Sequence, residues 1–144
     1  MYSVILVGNA PHMYNICMNY AISKRTTMDM ATAEARVREE LLKEGFGVLT
    51  EIDMQATLKK KIDADIRPYK ILGACNPPFA LKSLQLEDYI GLMLPCNVLL
   101  QQRENGIEVS AIDPVASMMA VKNAALEATA GEVRDKLKRV IAAL

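Results

Sequence analysis

The chain has 144 residues, 51% of them hydrophobic and 24% charged, with seven Gly and six Pro. This is enough apolar material for one core, and it excludes disordered and collagen-like readings. Seventeen Lys and Arg cancel seventeen Asp and Glu, so no strong field draws in nucleic acid or an anionic membrane.

Residues 1–17 hold no Lys, Arg, Asp or Glu and read as an N-terminal extension. Either Met18 is the biological start, or Tyr2 to Val7 is an extra strand on an exposed edge or a partner subunit. The run Val4-Ile5-Leu6-Val7 is far below the roughly 20 residues of a membrane-spanning helix. No Lys or Arg precedes Lys24 to begin an export signal. Three cysteines do not make a disulfide scaffold in a chain of this size, so the expected setting is the reducing cytoplasm.

Residues 18–144 read as a single domain. Asn19 to Arg25 is a strand with Tyr20 and Ile22 on one face, and Thr26, Thr27 and Asp29 can each cap a helix. That helix runs from about Met30 to Glu44, with Ala33, Val37 and Leu41 inward and Glu34–Arg38 and Glu39–Lys43 pairs outside. Gly45 suits its stop. Phe46, Val48, Thr50 and Ile52 alternate with Gly47, Leu49, Glu51 and Asp53, which predicts a strand with the first set turned inward. Asp53 then caps a short helix with Leu58 and Ile62 inward and Lys59-Lys60-Lys61 outward.

Tyr69 to Cys75 is the next strand, followed by Asn76 as N-cap, Pro77 at the first helical position and a helix to about Leu86. Leu92 to Gln101 reads as a strand with Leu92, Leu94, Cys96, Val98 and Leu100 on one face. Pro95 within it demands an edge or a bulge. Glu104-Asn105-Gly106 turns into a strand over Ile107 to Ile112, and Asp113-Pro114 opens a capped turn. From Asn123 a last helix carries Val133, Leu137, Val140, Ile141 and Leu144 as its core stripe.

This order predicts an α+β fold with helices on one face of a largely antiparallel sheet. Apolar residues expected on both strand faces, including Leu49, Leu72, Ala74, Met93 and Leu99, point to a homodimer or a ligand over the second face.

Two Cys-Asn pairs are the most unusual local features: Cys75-Asn76 at a strand-to-helix junction and Cys96-Asn97 after Pro95. Unpaired N–H groups at a helix start favour a thiolate, which gives Cys75 a route to reactivity. The plainer reading treats both thiols as small buried hydrophobes. Structural zinc wants four N or S ligands, and here only two thiols lie in the domain, with the lone His12 in the extension. A soft ion such as Cu(I) suits two thiolates, and a disulfide needs Cα atoms about 5.5 Å apart. Among the carboxylates at strand ends, Glu51, Asp53 and Asp113, capping already accounts for the two aspartates. Lys59 to Lys61 form a solvated helix face without stacking aromatics. Met28, Met30, Met93, Met118 and Met119 line an adaptable pocket or fill the core. There is no Gly-rich phosphate loop, no serine elbow and no His for a triad within the domain.

Four ordered stretches resemble a known family: Glu44-Gly45-Phe46-Gly47-Val48-Leu49-Thr50-Glu51-Ile52-Asp53, Tyr69-Lys70-Ile71-Leu72-Gly73-Ala74-Cys75-Asn76-Pro77, Ile90-Gly91-Leu92-Met93-Leu94-Pro95-Cys96-Asn97-Val98, and Asp113-Pro114. Together they are similar to the domain of unknown function 302 from about Met18 to the C-terminus. The resemblance implies a β-α-β4-α fold of the TATA-box-binding-protein-like type and a homodimer. It supplies no reaction, and a fold shared with a DNA-binding protein is no warrant for DNA binding.

The expected function is a homodimeric binding domain for a small molecule, without catalysis, cofactor or resident metal of its own. Its expected site is Cys75, Asn76, Pro77, Cys96 and Asn97. Two alternatives stay open: a thiol-dependent redox or soft-metal-binding protein using Cys75 and Cys96, and an interaction module in which Cys and Asn serve only packing and capping.

Overall fold

A computed structural model describes residues 20–144, so the expectations for the extension and for Met18 lie outside the described residues. The first strand, β1 (Ala21–Arg25), leads through a turn to α1 (Met30–Lys43). Of the three candidate caps Asp29 is the one used, its carboxylate accepting the Thr32 N–H at 2.8 Å. Ala33, Val37 and Leu41 are buried as their spacing predicts.

The end of α1 closes as a Schellman motif. Gly45, at φ +85°, turns the chain so that its N–H donates to the Leu42 carbonyl and that of Phe46 to Leu41. Phe46 is thereby swung into the core.

Strands β2 (Gly47–Asp53), β3 (Tyr69–Cys75), β4 (Cys96–Arg103) and β5 (Gly106–Ile112) follow. With β1 they form one antiparallel sheet in the order β1-β5-β4-β3-β2. This is the expected β-α-β4-α arrangement. Helix α2 (Met54–Ile62) joins β2 to β3, and α3 (Pro77–Leu86) and a 3₁₀ turn (Asp88–Met93) join β3 to β4. After β5 come α4 (Pro114–Met118) and α5 (Ala125–Ala142). Asp53 and Asp113 cap α2 and α4 through the N–H groups of Ala56 and Val115.

The core lies between the sheet and α1 and α5. Leu72, Ala74, Val98, Leu100, Ile107, Val109 and Ala111 meet Leu41 from α1 and the Val133, Leu137, Val140, Ile141 stripe of α5. Burying one such side chain stabilises by about 1.5–3 kcal/mol.

Five expectations are corrected. The alternation in β2 breaks at Leu49, where a bulge separates the Val48–Ala74 and Thr50–Gly73 pairs. An inserted residue reverses the parity of all that follows, so Thr50 and Ile52 are exposed rather than inward. The strand expected from Leu92 begins only at Cys96; Leu92 sits on the 3₁₀ turn, 82% exposed. Pro95, after a cis peptide bond, precedes an interior strand instead of interrupting an edge one, so its missing N–H costs no ladder bond. Ile62 points outward at 70% exposure, because α2 packs through Leu58 alone of that pair. Finally, Leu72 and Ala74 belong to the helix-covered face. The far face between them carries Arg25, Gln101, Arg103 and Glu108, tied together by ion pairs and hydrogen bonds, so it is much more polar than the sequence pattern implies.

Candidate functional site

Cys75 ends β3 and Cys96 begins β4, directly opposite Ala74 in the ladder. Both are free thiols. They line one small cavity of about 30 Å³ at the end of the sheet, roofed by Phe79 of α3, Met118 of α4 and Thr129 of α5. Asn76 lines it too. Three of the five expected site residues are thus brought together.

The other two are not. Successive residues of a strand point to opposite faces, so with Cys96 turned to the helices Asn97 is sent to the other side. There it lines a second, open cleft of about 190 Å³ with Leu92, Met93, Leu94, Pro95 and Ile112. Pro77 is exposed at the start of α3. The methionines scatter likewise: Met28 and Met30 pack on the core, Met93 borders the cleft, Met118 the cavity, and Met119 is exposed.

Asn76 occupies the N-cap position of α3 but makes no side-chain cap there. Its Nδ2 instead donates to the Glu44 carbonyl at 3.1 Å, satisfying an end-of-helix acceptor of α1 that has no partner within its own helix. The reason lies in the next two residues. Pro77 and Pro78 have no N–H, and this removes two of the donors that a helix start presents to a cap, an anion or a thiolate. The route to an activated Cys75 rested on those same donors.

Burial pushes the Cys96 thiol up to about 11, with a smaller contribution from negative charge on Cys75. At neutral pH Cys96 is a protonated, apolar side chain. The cavity is otherwise oily except for two hydroxyls. That of Ser83 donates to the Phe79 carbonyl at 2.8 Å, whereas that of Thr129, on a residue 1% exposed, has no partner among the described residues. A buried unpartnered hydroxyl costs about 1–3 kcal/mol, so its presence calls for a water or a ligand. Sequence reasoning passed over Thr129, although it stands four residues before Val133 and eight before Leu137. A polar residue in register with an apolar stripe is the signal that finds it. Met118, one of the methionines that the sequence offered for an adaptable pocket, does line the cavity.

Among the described residues no three of His, Cys, Asp and Glu gather into a metal-binding group. No helix among them is long and apolar enough to cross a membrane.

A five-stranded antiparallel sheet covered by helices on one face, with a thiol-lined cavity at one end, defines an α+β protein of the architecture expected from the sequence. The family model described as "Domain of unknown function DUF302" matches residues 22–144, and the chain belongs to that family. A solved structure with the same architecture is an uncharacterized conserved DUF302 protein from Bacillus stearothermophilus, at 25% identity and a TM-score of 0.81. The match covers 85% of this chain and 96% of that one. No curated protein is significantly similar to the chain.

Proposed function

We propose that this protein is a homodimeric small-ligand-binding domain of the cytoplasm, without catalysis of its own, whose site is the cavity lined by Cys75, Asn76 and Cys96. The observation that carries the reading is the Thr129 hydroxyl, buried without a partner among the described residues, on a residue that lines a largely apolar space. Ligand sites combine apolar walls with a few placed polar groups, and this cavity has that make-up. Its volume of about 30 Å³ is close to one water's share of the liquid. The occupant is therefore very small, or it displaces Phe79 or Met118 on entry.

The supporting experiment is a thermal-shift screen of fully reduced protein against small polar and apolar compounds, in wild type and Thr129→Val. Compounds that stabilise the wild type and not the variant support the site. A reduced wild type that responds to nothing refutes it. For the dimer, the support is the set of large apolar side chains left exposed, notably Leu49, Ile52, Tyr89 and Leu92. Sedimentation as a strict monomer at micromolar concentration removes that part.

The thiol-redox alternative has less behind it. A resolving thiol pushed up to about 11 is a poor nucleophile at neutral pH, and the two prolines strip the helix start that was to activate its partner.

A further inference from the structure

We infer that the sheet face turned away from α1 and α5 carries a second site, for a small amphiphilic anion whose carboxylate or phosphate head sits among Arg25, Arg67 and Arg103. This site is separate from the thiol-lined cavity and independent of the role proposed for it.

The strand register sets the basic end of this face. Arg25, Glu108, Gln101 and Tyr69 pair in turn across β1, β5, β4 and β3, and side chains of one cross-strand row share a face. Arg103 stands two residues after Gln101 and Arg67 two before Tyr69. Arg25 Nε and Arg103 Nη2 reach the two oxygens of Glu108 at 3.1 and 3.0 Å. The Gln101 amide donates to the same carboxylate at 3.1 Å and accepts from Arg67 Nη2 at 2.7 Å. The Arg67 guanidinium lies 6.0 Å from the centre of the Tyr69 ring. One network of bonds therefore gathers three guanidiniums around a single carboxylate.

Its charge does not balance. Burial raises the Glu108 carboxyl, but hydrogen bonds from Arg103 and Arg25 outweigh it and hold the group below its ordinary 4.5, so at neutral pH one negative charge faces three positive ones. Asp65, the acid nearest Arg67 in sequence, is engaged by Lys59. Among the described residues no ion pair joins Glu104, on the exposed turn after β4, to the network. Arg25 and Arg67 are exposed, and each meets the network through one nitrogen, so their other N–H groups are open to solvent. Forked guanidinium donors match the oxygens of a carboxylate or a phosphate.

The rest of the face suits an aliphatic tail. The next row on it is Ser23, Ser110, Leu99, Ile71 and Ile52. The two serines bond each other at 2.7 Å, which leaves three aliphatic side chains on adjacent strands. Beyond them lies the open cleft with Pro95, Asn97 and Ile112, four residues and so about 14 Å from the basic row. Positive charge confined to one end fits one oxyanion, whereas a nucleic acid needs it repeated along the surface.

The test is calorimetric titration of the full-length reduced protein with octanoate, octyl phosphate, inorganic phosphate and octanol. The expected result is one octyl anion per chain, weakened by added salt, with the tighter of the two identifying the head. Inorganic phosphate and octanol, each lacking half of the ligand, bind about tenfold more weakly. Arg25→Gln and Arg67→Gln, both at exposed positions and checked for an unchanged melt, each weaken the octyl anions about tenfold. Leu99→Thr weakens the octyl anions and leaves inorganic phosphate unchanged. Thr129→Val, which tests the cavity, changes none of these values, so the two readings fail separately. Absence of binding by both octyl anions overturns the inference, as does binding unchanged in both arginine variants. If a second copy of the chain covers this face instead, neither anion binds and Arg25→Gln shifts sedimentation toward the monomer, which also overturns it.

Discussion

Raising the pH should reveal the burial of the Cys96 thiol as a loss of stability. Its thiol is ionised only near pH 11 in the folded chain, against an ordinary value of 9.0. Below pH 9 both folded and unfolded chains hold the proton, and the stability contributed by the buried thiol is complete. Above it the unfolded chain releases the proton while the folded chain keeps it, so stability is lost progressively up to about pH 11. A shift of about two units corresponds to about 2.7 kcal/mol in full, and to about 2 kcal/mol by pH 10.5. Other groups titrate over the same range, but they are common to wild type and Cys96→Ala. The experiment is urea denaturation of both proteins in reducing buffer at pH 8 and pH 10.5. At pH 8 the variant should be less stable by about 1–2 kcal/mol through lost packing. At pH 10.5 the gap should close or reverse by about 2 kcal/mol, a midpoint movement of about 1 M urea. A gap equal at both pH values refutes the burial argument for Cys96.

Further expectations follow from individual contacts. Gly131 lies in the interior of α5 with open space where a Cβ would go, so Gly131→Ala should raise stability by about 0.5–1 kcal/mol in thermal or urea melts. Gly106, at φ +139°, has the Thr26 carbonyl where a Cβ would sit; Gly106→Ala should cost about 3 kcal/mol or more and lower soluble yield. Asn76→Ala should cost about 1–2 kcal/mol and speed hydrogen exchange at the end of α1, because the Glu44 carbonyl loses its donor. Burial raises the Glu34 carboxyl, but hydrogen bonds from Lys70 and Arg38 outweigh it and hold the group below its ordinary 4.5. Its contribution is therefore full above that value and lost as pH falls through the lowered one. Lys70→Met should move the Glu34 titration upward in NMR and flatten the acid loss of stability.

Most of the fold is legible in the sequence because its helices obey simple rules. The α1 stripe, the Asp29, Asp53 and Asp113 caps and the Glu104-Asn105-Gly106 turn all depend on neighbours within four residues, and each is where spacing puts it. What escapes is anything decided across the sheet. No local pattern announces the extra residue at Leu49, since Phe46 to Ile52 alternate as well with a bulge as without one. The apolar run Ile90 to Leu94 satisfies a strand and a buried turn equally. Only Ile90 of it enters the core, and the Glu87 side chain bonded to the Tyr89 N–H fixes the turn.

The site divides along the same line. Adjacency in sequence suggested that each Cys works with the Asn beside it, yet in an extended strand adjacency is the arrangement that separates two side chains most completely. Cys96 and Asn97 therefore serve different cavities, and the cross-strand neighbour of Cys96 is Ala74, twenty-two positions earlier and one strand over. Asn76 escapes that rule only because the strand has ended, and Pro77-Pro78 then leave its amide free to reach back to Glu44. The two Cys-Asn pairs are thus different structures: Cys96 and Asn97 are split between the two faces of the sheet, and Asn76 locks the end of α1 against the start of α3. A double-mutant cycle separates them. Cys75→Ser and Asn76→Ala should add in stability, because only the asparagine reaches back to Glu44. Strong non-additivity in stability would instead tie the two residues into one unit.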